Sequence, residues 1–159
     1  MRQTLALTAL CVALLSNAFA QTPVGNRAQK HAVEIFFMAG IEAFNAHDLD
    51  KFMKQFADDV EMYTPTGWLR GKRAVSERFV GTFQQFPAVK MEIEDLRVRV
   101  VSPATVVVDF KWRTYPRGSG PAFHGTGSGV YVRRGRHWVE VLEHETVERV
   151  DEALRTRPQ

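Results

Sequence analysis

From Arg27 onward the apolar residues fall at Val33, Phe36, Phe37, Gly40, Ile41 and Phe44. Spacings of three and four put them on one face of a helix about five turns long. A second stripe, Leu49, Phe52, Met53 and Phe56, follows Asp48, whose carboxylate suits an N-cap. A third helix is predicted over roughly 72–86, with Val75, Phe79, Phe83 and Phe86 on one face and Pro87 as its stop. Elsewhere the period drops to two. Residues 60–63 alternate as a strand would, and Gly67 and Gly71 bracket a short loop carrying Trp68. Four longer strands are predicted over 89–101, 105–115, 122–134 and 137–147. The first of them changes phase near Glu94 and Asp95, which signals a bulge. Gly125, Gly127 and Gly129 leave one face of the third almost bare, a costly arrangement unless the sheet bends sharply or another group comes close. Helices followed by a meander make an α+β fold: three N-terminal helices packed in a strongly curved antiparallel sheet.

Residues 1–20 stand apart from this pattern. A short basic start, an apolar run from Leu5 to Leu15 and a small-x-small end at Ala18-Phe19-Ala20 predict a cleaved secretory signal peptide. The run is too short to span a bilayer, and no later segment approaches that length. Cleavage would leave 139 of the 159 residues: a flexible leader at 21–26, the domain at 27–147 and a charged C-terminal tail at 148–159. The expected location is periplasmic or secreted. Cys11, the one cysteine, goes with the signal, which excludes a thiol nucleophile, a thiolate metal site and a disulfide. Losing Arg2 lowers the formal charge from +3 to +2, too small an excess to argue for nucleic acid. The basic run Arg133-Arg134-Gly135-Arg136 reads as a hairpin turn.

The order of elements, the phrase Phe44-Asn45-Ala46-His47-Asp48-Leu49-Asp50, the ending Phe56-Ala57-Asp58-Asp59-Val60 and the last hairpin with Trp138 six residues before His144 resemble the NTF2-like superfamily. Its SnoaL-like and polyketide-cyclase-like small proteins are the nearest in pattern. The resemblance covers about residues 27–147. It implies a cone, a curved sheet closed by three helices, holding a small hydrophobic molecule and dimerising through the sheet's outer face. No cofactor is expected, and His124, His144 and Glu143 lack the close spacing of a metal-ligand motif. The superfamily hosts isomerases, cyclases and dehydratases beside pure binders and interaction modules, so function must be read from the site. The resemblance also lets the ketosteroid isomerase apparatus be tested. Its general-base Asp aligns with Thr64, its tyrosine donor with Gly40 and its protonated Asp with Val130. All three groups are missing.

The candidate chemistry is then sparse. Asp58 and Asp59 read as the turn into a strand. His144 is the candidate acid–base residue, expected on one strand face with Trp138, Glu140, Leu142 and Thr146, while Val139, Val141, Glu143 and Glu145 take the other. The alternative is a histidine bonded in the core or at a dimer seam. Tyr63, Trp68, Trp112 and Tyr131, with His124 at the rim, are the candidate ligand-binding residues, since aromatic walls with few polar groups suit a ring-bearing ligand. Packing in the core or the interface is the alternative for each. If Trp112 faces the pocket, Arg113 does not. The expected function is an exported pocket protein for a hydrophobic or aromatic molecule, with isomerase, cyclase or dehydratase chemistry as an extension. A non-catalytic binding or interaction module of the cell envelope is the alternative.

Overall fold

The computed structural model describes residues 23–155; the predicted signal peptide and the last four residues of the tail lie outside them. The long helix α1 (Pro23–Asn45) takes in most of the stretch read as a leader. Val33, Phe37 and Phe44 of its predicted face are buried, and so is Ala43 beside them. The phrase that follows is a turn pinned at several points. Asn45 docks α1 onto a strand through two bonds, Nδ2 donating to Met91 O (2.9 Å) and Met91 N donating to Oδ1 (2.7 Å). His47 adopts the left-handed conformation (φ 56°), stacks on Phe83 at 4.9 Å and reaches Val89 O at 2.8 Å. Asp48 accepts from Lys51 N at 2.9 Å and caps α2 (Leu49–Phe52), which runs into a 3-10 turn at Met53–Gln55.

One six-stranded sheet carries the rest. Its strands are β1 (Phe56–Thr64), β2 (Gly67–Arg70), β3 (Lys90–Ser102), β4 (Thr105–Tyr115), β5 (Phe123–Arg134) and β6 (His137–Val150), in the order β2-β1-β6-β5-β4-β3. The segment read as a loop around Trp68 is in fact β2, a hairpin partner of β1. The pairings are antiparallel except β1 with β6, which is parallel. Helix α3 (Lys72–Gln85) packs Val75 and Phe79 inward. Residues 148–150, read as tail, extend β6, and a short α4 (Glu152–Arg155) follows.

Two apolar clusters hold the helices in the curve of the sheet. Phe44, Phe52, Phe56 and Phe79 interlock at the helical end, with Phe52 and Phe79 rings 4.7 Å apart and nearly perpendicular. Edge-to-face pairs of this kind are worth about 0.5–1.5 kcal/mol beyond their burial. Val33 and Phe37 press on Val106, Val108, Phe110, Trp112 and Tyr131 at the sheet end.

The predicted bulge in β3 is present: pairing with β4 slips between Glu94 and Arg97, and Asp95 has φ 53°. The glycine row is explained by close approach. A Cβ on Gly125 would come within 2.0 Å of Thr146 O and 2.3 Å of Trp112, and one on Gly127 within 2.4 Å of Phe110. The bare face of β5 is bare because rings from β4 lie on it.

Candidate functional site

A cavity of about 40 Å³ lies between the two clusters. Its wall is mostly aromatic, with Phe37, Phe44, Phe52, Phe79, Phe110 and Trp112 among its residues. Its polar groups are Tyr131 from β5, Glu140, Glu143 and Glu145 from β6, and Gln55 from the 3-10 turn. That volume holds about three or four waters, given about 10–15 Å³ for each. A wider vestibule of about 140 Å³ adjoins it, sharing Phe44, Phe79, Met91, Trp112 and Glu145 and adding Arg78, Thr82 and Val147.

Three acidic side chains reach the interior because β6 breaks its alternation. Tyr131 pairs with Glu140 and Val130 with Leu142, so Val141 is an extra residue facing no partner on β5. Before the bulge Glu140 points inward; after it Glu143 and Glu145 do, and Leu142 and His144 point outward. The expected face shared by Glu140, Leu142 and His144 does not exist. His144 lies on the outer face, exposed, its ring 5.2 Å from that of Tyr63. It therefore takes no part in the cavity, and the face read for it is corrected.

Inside, Tyr131 and Glu140 are 2 % and 3 % exposed, and Tyr131 Oη donates to Glu140 Oε2 at 3.0 Å. Glu140 Oε1 is buried and unpartnered; a Cβ on Gly129 would meet it at 2.0 Å, so that glycine makes its space. Burial, then the neighbouring Glu143, holds the Glu140 carboxyl well above the usual carboxylate range. Burial, then Glu140, likewise pushes the Tyr131 phenol well above its ordinary value. Glu143 is pushed up to about 8 by burial first and by the Glu145 charge second, with Arg78 pulling the other way. Glu145 is held by Arg78 from α3, Nη1 donating to Oε1 at 3.2 Å and Nη2 to Oε2. Gln55 Oε1 is also buried and unpartnered, its side chain lying over Gly40, where a Cβ would come within 2.8 Å.

The other predicted site residues divide. Trp112 lines the cavity with Tyr131, its Nε1 donating to Thr126 O at 3.1 Å. Arg113 faces away and pairs with Glu94 at 2.7 Å. Tyr63 and Trp68 are exposed beside His144, their rings 5.0 Å apart. His124 lies among Asp151 (3.1 Å) and Arg149 near the end of β6, away from the cavity. Asp58 and Asp59 lie within β1, where Asp59 pairs with Arg134 at 2.8 Å. Thr64 bonds its own turn, its hydroxyl donating to Gly67 O at 3.0 Å. Val130 points outward and Tyr131 inward, so the residue facing the cavity is one along from the aligned position. Among the described residues no cluster of His, Cys, Asp and Glu could hold a metal ion, and no helix is long and apolar enough to cross a membrane.

Comparison with known proteins agrees with this architecture. A family model for the SnoaL-like domain matches residues 38–152. Among solved structures, a candidate scytalone dehydratase from Novosphingobium aromaticivorans superposes with a TM-score of 0.72 at 14% identity, covering 81% of this chain and 90% of that one. An NTF2-like protein of unknown function from Pseudomonas putida gives 0.71 at 16%, covering 80% and 92%. A hexachlorocyclohexane dehydrochlorinase from Novosphingobium barchaimii gives 0.69 at 12%, covering 80% and 92%. No curated protein matches the chain significantly. At such identities the structural likeness speaks for the NTF2-like fold, and the family match reaches further: this chain belongs to the SnoaL-like domain family.

Proposed function

We propose that this chain is an exported pocket protein that seats a small, largely apolar molecule against Tyr131, Glu140 and Glu143 and moves a proton on it without a cofactor. The observation that carries this reading is the burial of three ionisable groups, Tyr131, Glu140 and Glu143, against one aromatic cavity, where burial pushes Glu143 up to about 8. A base poised near the working pH combines a useful ionised fraction with a real affinity for the proton. Glu143 in its carboxylate form takes a proton from carbon. The neutral Tyr131–Glu140 pair supplies a hydrogen to the departing or polarised group. The names of two structural neighbours describe loss of water and of hydrogen chloride, eliminations that need these two roles and support the assignment.

The vestibule gives the apolar body of the ligand its place, with Arg78 and Glu145 at the junction. The outer face, with Tyr63, Trp68, Leu142 and His144 exposed, is proposed as the seam of a homodimer, which sedimentation equilibrium tests.

The catalytic reading is tested with the full chain, Glu143→Gln and Tyr131→Phe, each incubated with an envelope metabolite extract and followed by mass spectrometry. A compound consumed by the wild type and spared by Glu143→Gln, at a rate rising with pH and half-maximal near 8, is the expected result. A compound retained but unchanged by all three proteins would reduce the reading to binding alone.

A further inference from the structure

The cavity holds two buried oxygens that nothing around them satisfies. Among the described residues, Glu140 Oε1 and Gln55 Oε1 are buried without a partner, on different elements, and both residues line the same chamber. Orphaned buried oxygens are costly; Gln55 Oε1 needs a donor, and Glu140 Oε1 needs one as soon as its carboxyl ionises. The charges point the same way. The titratable groups lining the chamber are Tyr131 from β5 and Glu140, Glu143 and Glu145 from β6; the cation beside them is Arg78 from α3, already engaged by Glu145. Helix α1 contributes Phe37, Gly40, Ile41 and Phe44, β4 contributes Phe110 and Trp112, and β3 contributes Met91. An anion entering here would find the neighbouring cation, Arg78, already engaged and could only raise the cost of ionising the carboxyls. A neutral carbonyl would leave Gln55 Oε1 unpaired. A hard divalent metal needs six or more oxygens or waters, for which an aromatic wall leaves no room. An organic cation meets both needs: hydrogens for the orphaned oxygens and ring faces for its charge.

We propose that the ligand of this cavity carries an amino group, bound as the ammonium among Glu140, Glu143 and Gln55, with its apolar body extending past Trp112 into the vestibule. This rests on the pocket reading above and names its ligand class. In the free protein, protons on Glu140 and Glu143 take the place of the cation; the arriving ammonium displaces one of them. Glu143, which titrates at about 8, releases its proton when the ammonium arrives, so binding is linked to pH. Affinity rises with pH by up to about tenfold per unit and levels off as Glu143 ionises by itself.

The test uses the full chain and three probes of one shape: benzylamine, benzyl alcohol and benzoate. Isothermal titration in two buffers of different ionisation enthalpy reads both affinity and proton release. The expected result is preferential binding of benzylamine, release of about one proton per amine below pH 8, and at least a tenfold loss of amine affinity in Glu143→Gln with benzyl alcohol unaffected. Loss of proton release in a folded Glu143→Gln variant, with release kept in Glu140→Gln, supports the same assignment. Benzyl alcohol binding as tightly as the amine, or amine binding without proton release, overturns the amine assignment and leaves the pocket reading standing. Absence of binding by all three probes overturns both.

Discussion

Strands β5 and β6 lie side by side and share the inner wall of the cone, yet they furnish it in opposite ways. Over Gly125, Gly127 and Gly129, β5 offers backbone alone, and the space is taken by Trp112, Phe110 and the carboxyl of Glu140. Strand β6 sends in three glutamates where an apolar face would be usual, and leaves Leu142 outside. One strand provides room and the other fills part of it with acid. Residues that break the rule of apolar-in and polar-out cost stability, and such breaks concentrate at functional sites. The contrast marks the acidic half of the wall as the candidate site and the glycine half as its mould.

The sharpest way to break this arrangement is to give β5 a side chain. Gly125→Ala would drive a methyl against Thr146 O, a backbone atom, and against the Trp112 ring. Overpacking usually costs about 1–3 kcal/mol and more where backbone must yield, so the variant is expected to lose at least about 3 kcal/mol in urea titration. A variant as stable as the wild type would mean that the sheet relaxes freely at that point.

The acidic half is tested by pH. A carboxyl whose folded value lies above its ordinary 4.5 favours folding while it is protonated in both states. That contribution is complete below about 4.5 and is lost as pH rises towards 8, because only the unfolded chain ionises freely in that window. Stability is expected to fall across it by up to about 1.4 kcal/mol per pH unit. Glu143→Gln should flatten the slope and raise the melting temperature at pH 8. An equally steep slope in the variant would assign the titration to other groups.

The smallest effect is expected on the outer side. His144→Ala should change stability by about 0.5 kcal/mol or less and leave turnover and ligand affinity unchanged. Loss of turnover would return the chemistry to the histidine. A shift from dimer to monomer in sedimentation would make its ring row part of the seam.

Much of the fold was legible because local signals agreed with the tertiary result. The apolar stripes of α1 and α3, the Asp48 cap, the phase change at Asp95 and the glycine row each had a mechanism that the packing upheld. The site was legible only in part. Trp112 and Tyr131 lie on strands whose period of two holds, so they could be named, and Arg113 could be assigned outward from Trp112. Parity failed in β6, because an unpaired residue at Val141 reverses the faces from Leu142 to Val147 and nothing in Val139-Glu140-Val141-Leu142 marks the place. Reading straight alternation through it joined His144 to Glu140 and hid Glu143 and Glu145. A signal was available in the facing strand: the gap over Gly129 required a long side chain from a neighbour. The β1–β6 pairing was not legible either, since a parallel contact between the first and last strands leaves no local trace.

Trp112 has a consequence of another kind. Of the three tryptophans, Trp68 is exposed and Trp138 half-buried, while Trp112 is buried on the cavity wall with its indole anchored to Thr126. The protein thus carries a fixed chromophore beside its acidic cluster, and its ultraviolet emission is a built-in optical gauge of what occupies the chamber and of the charge beside it.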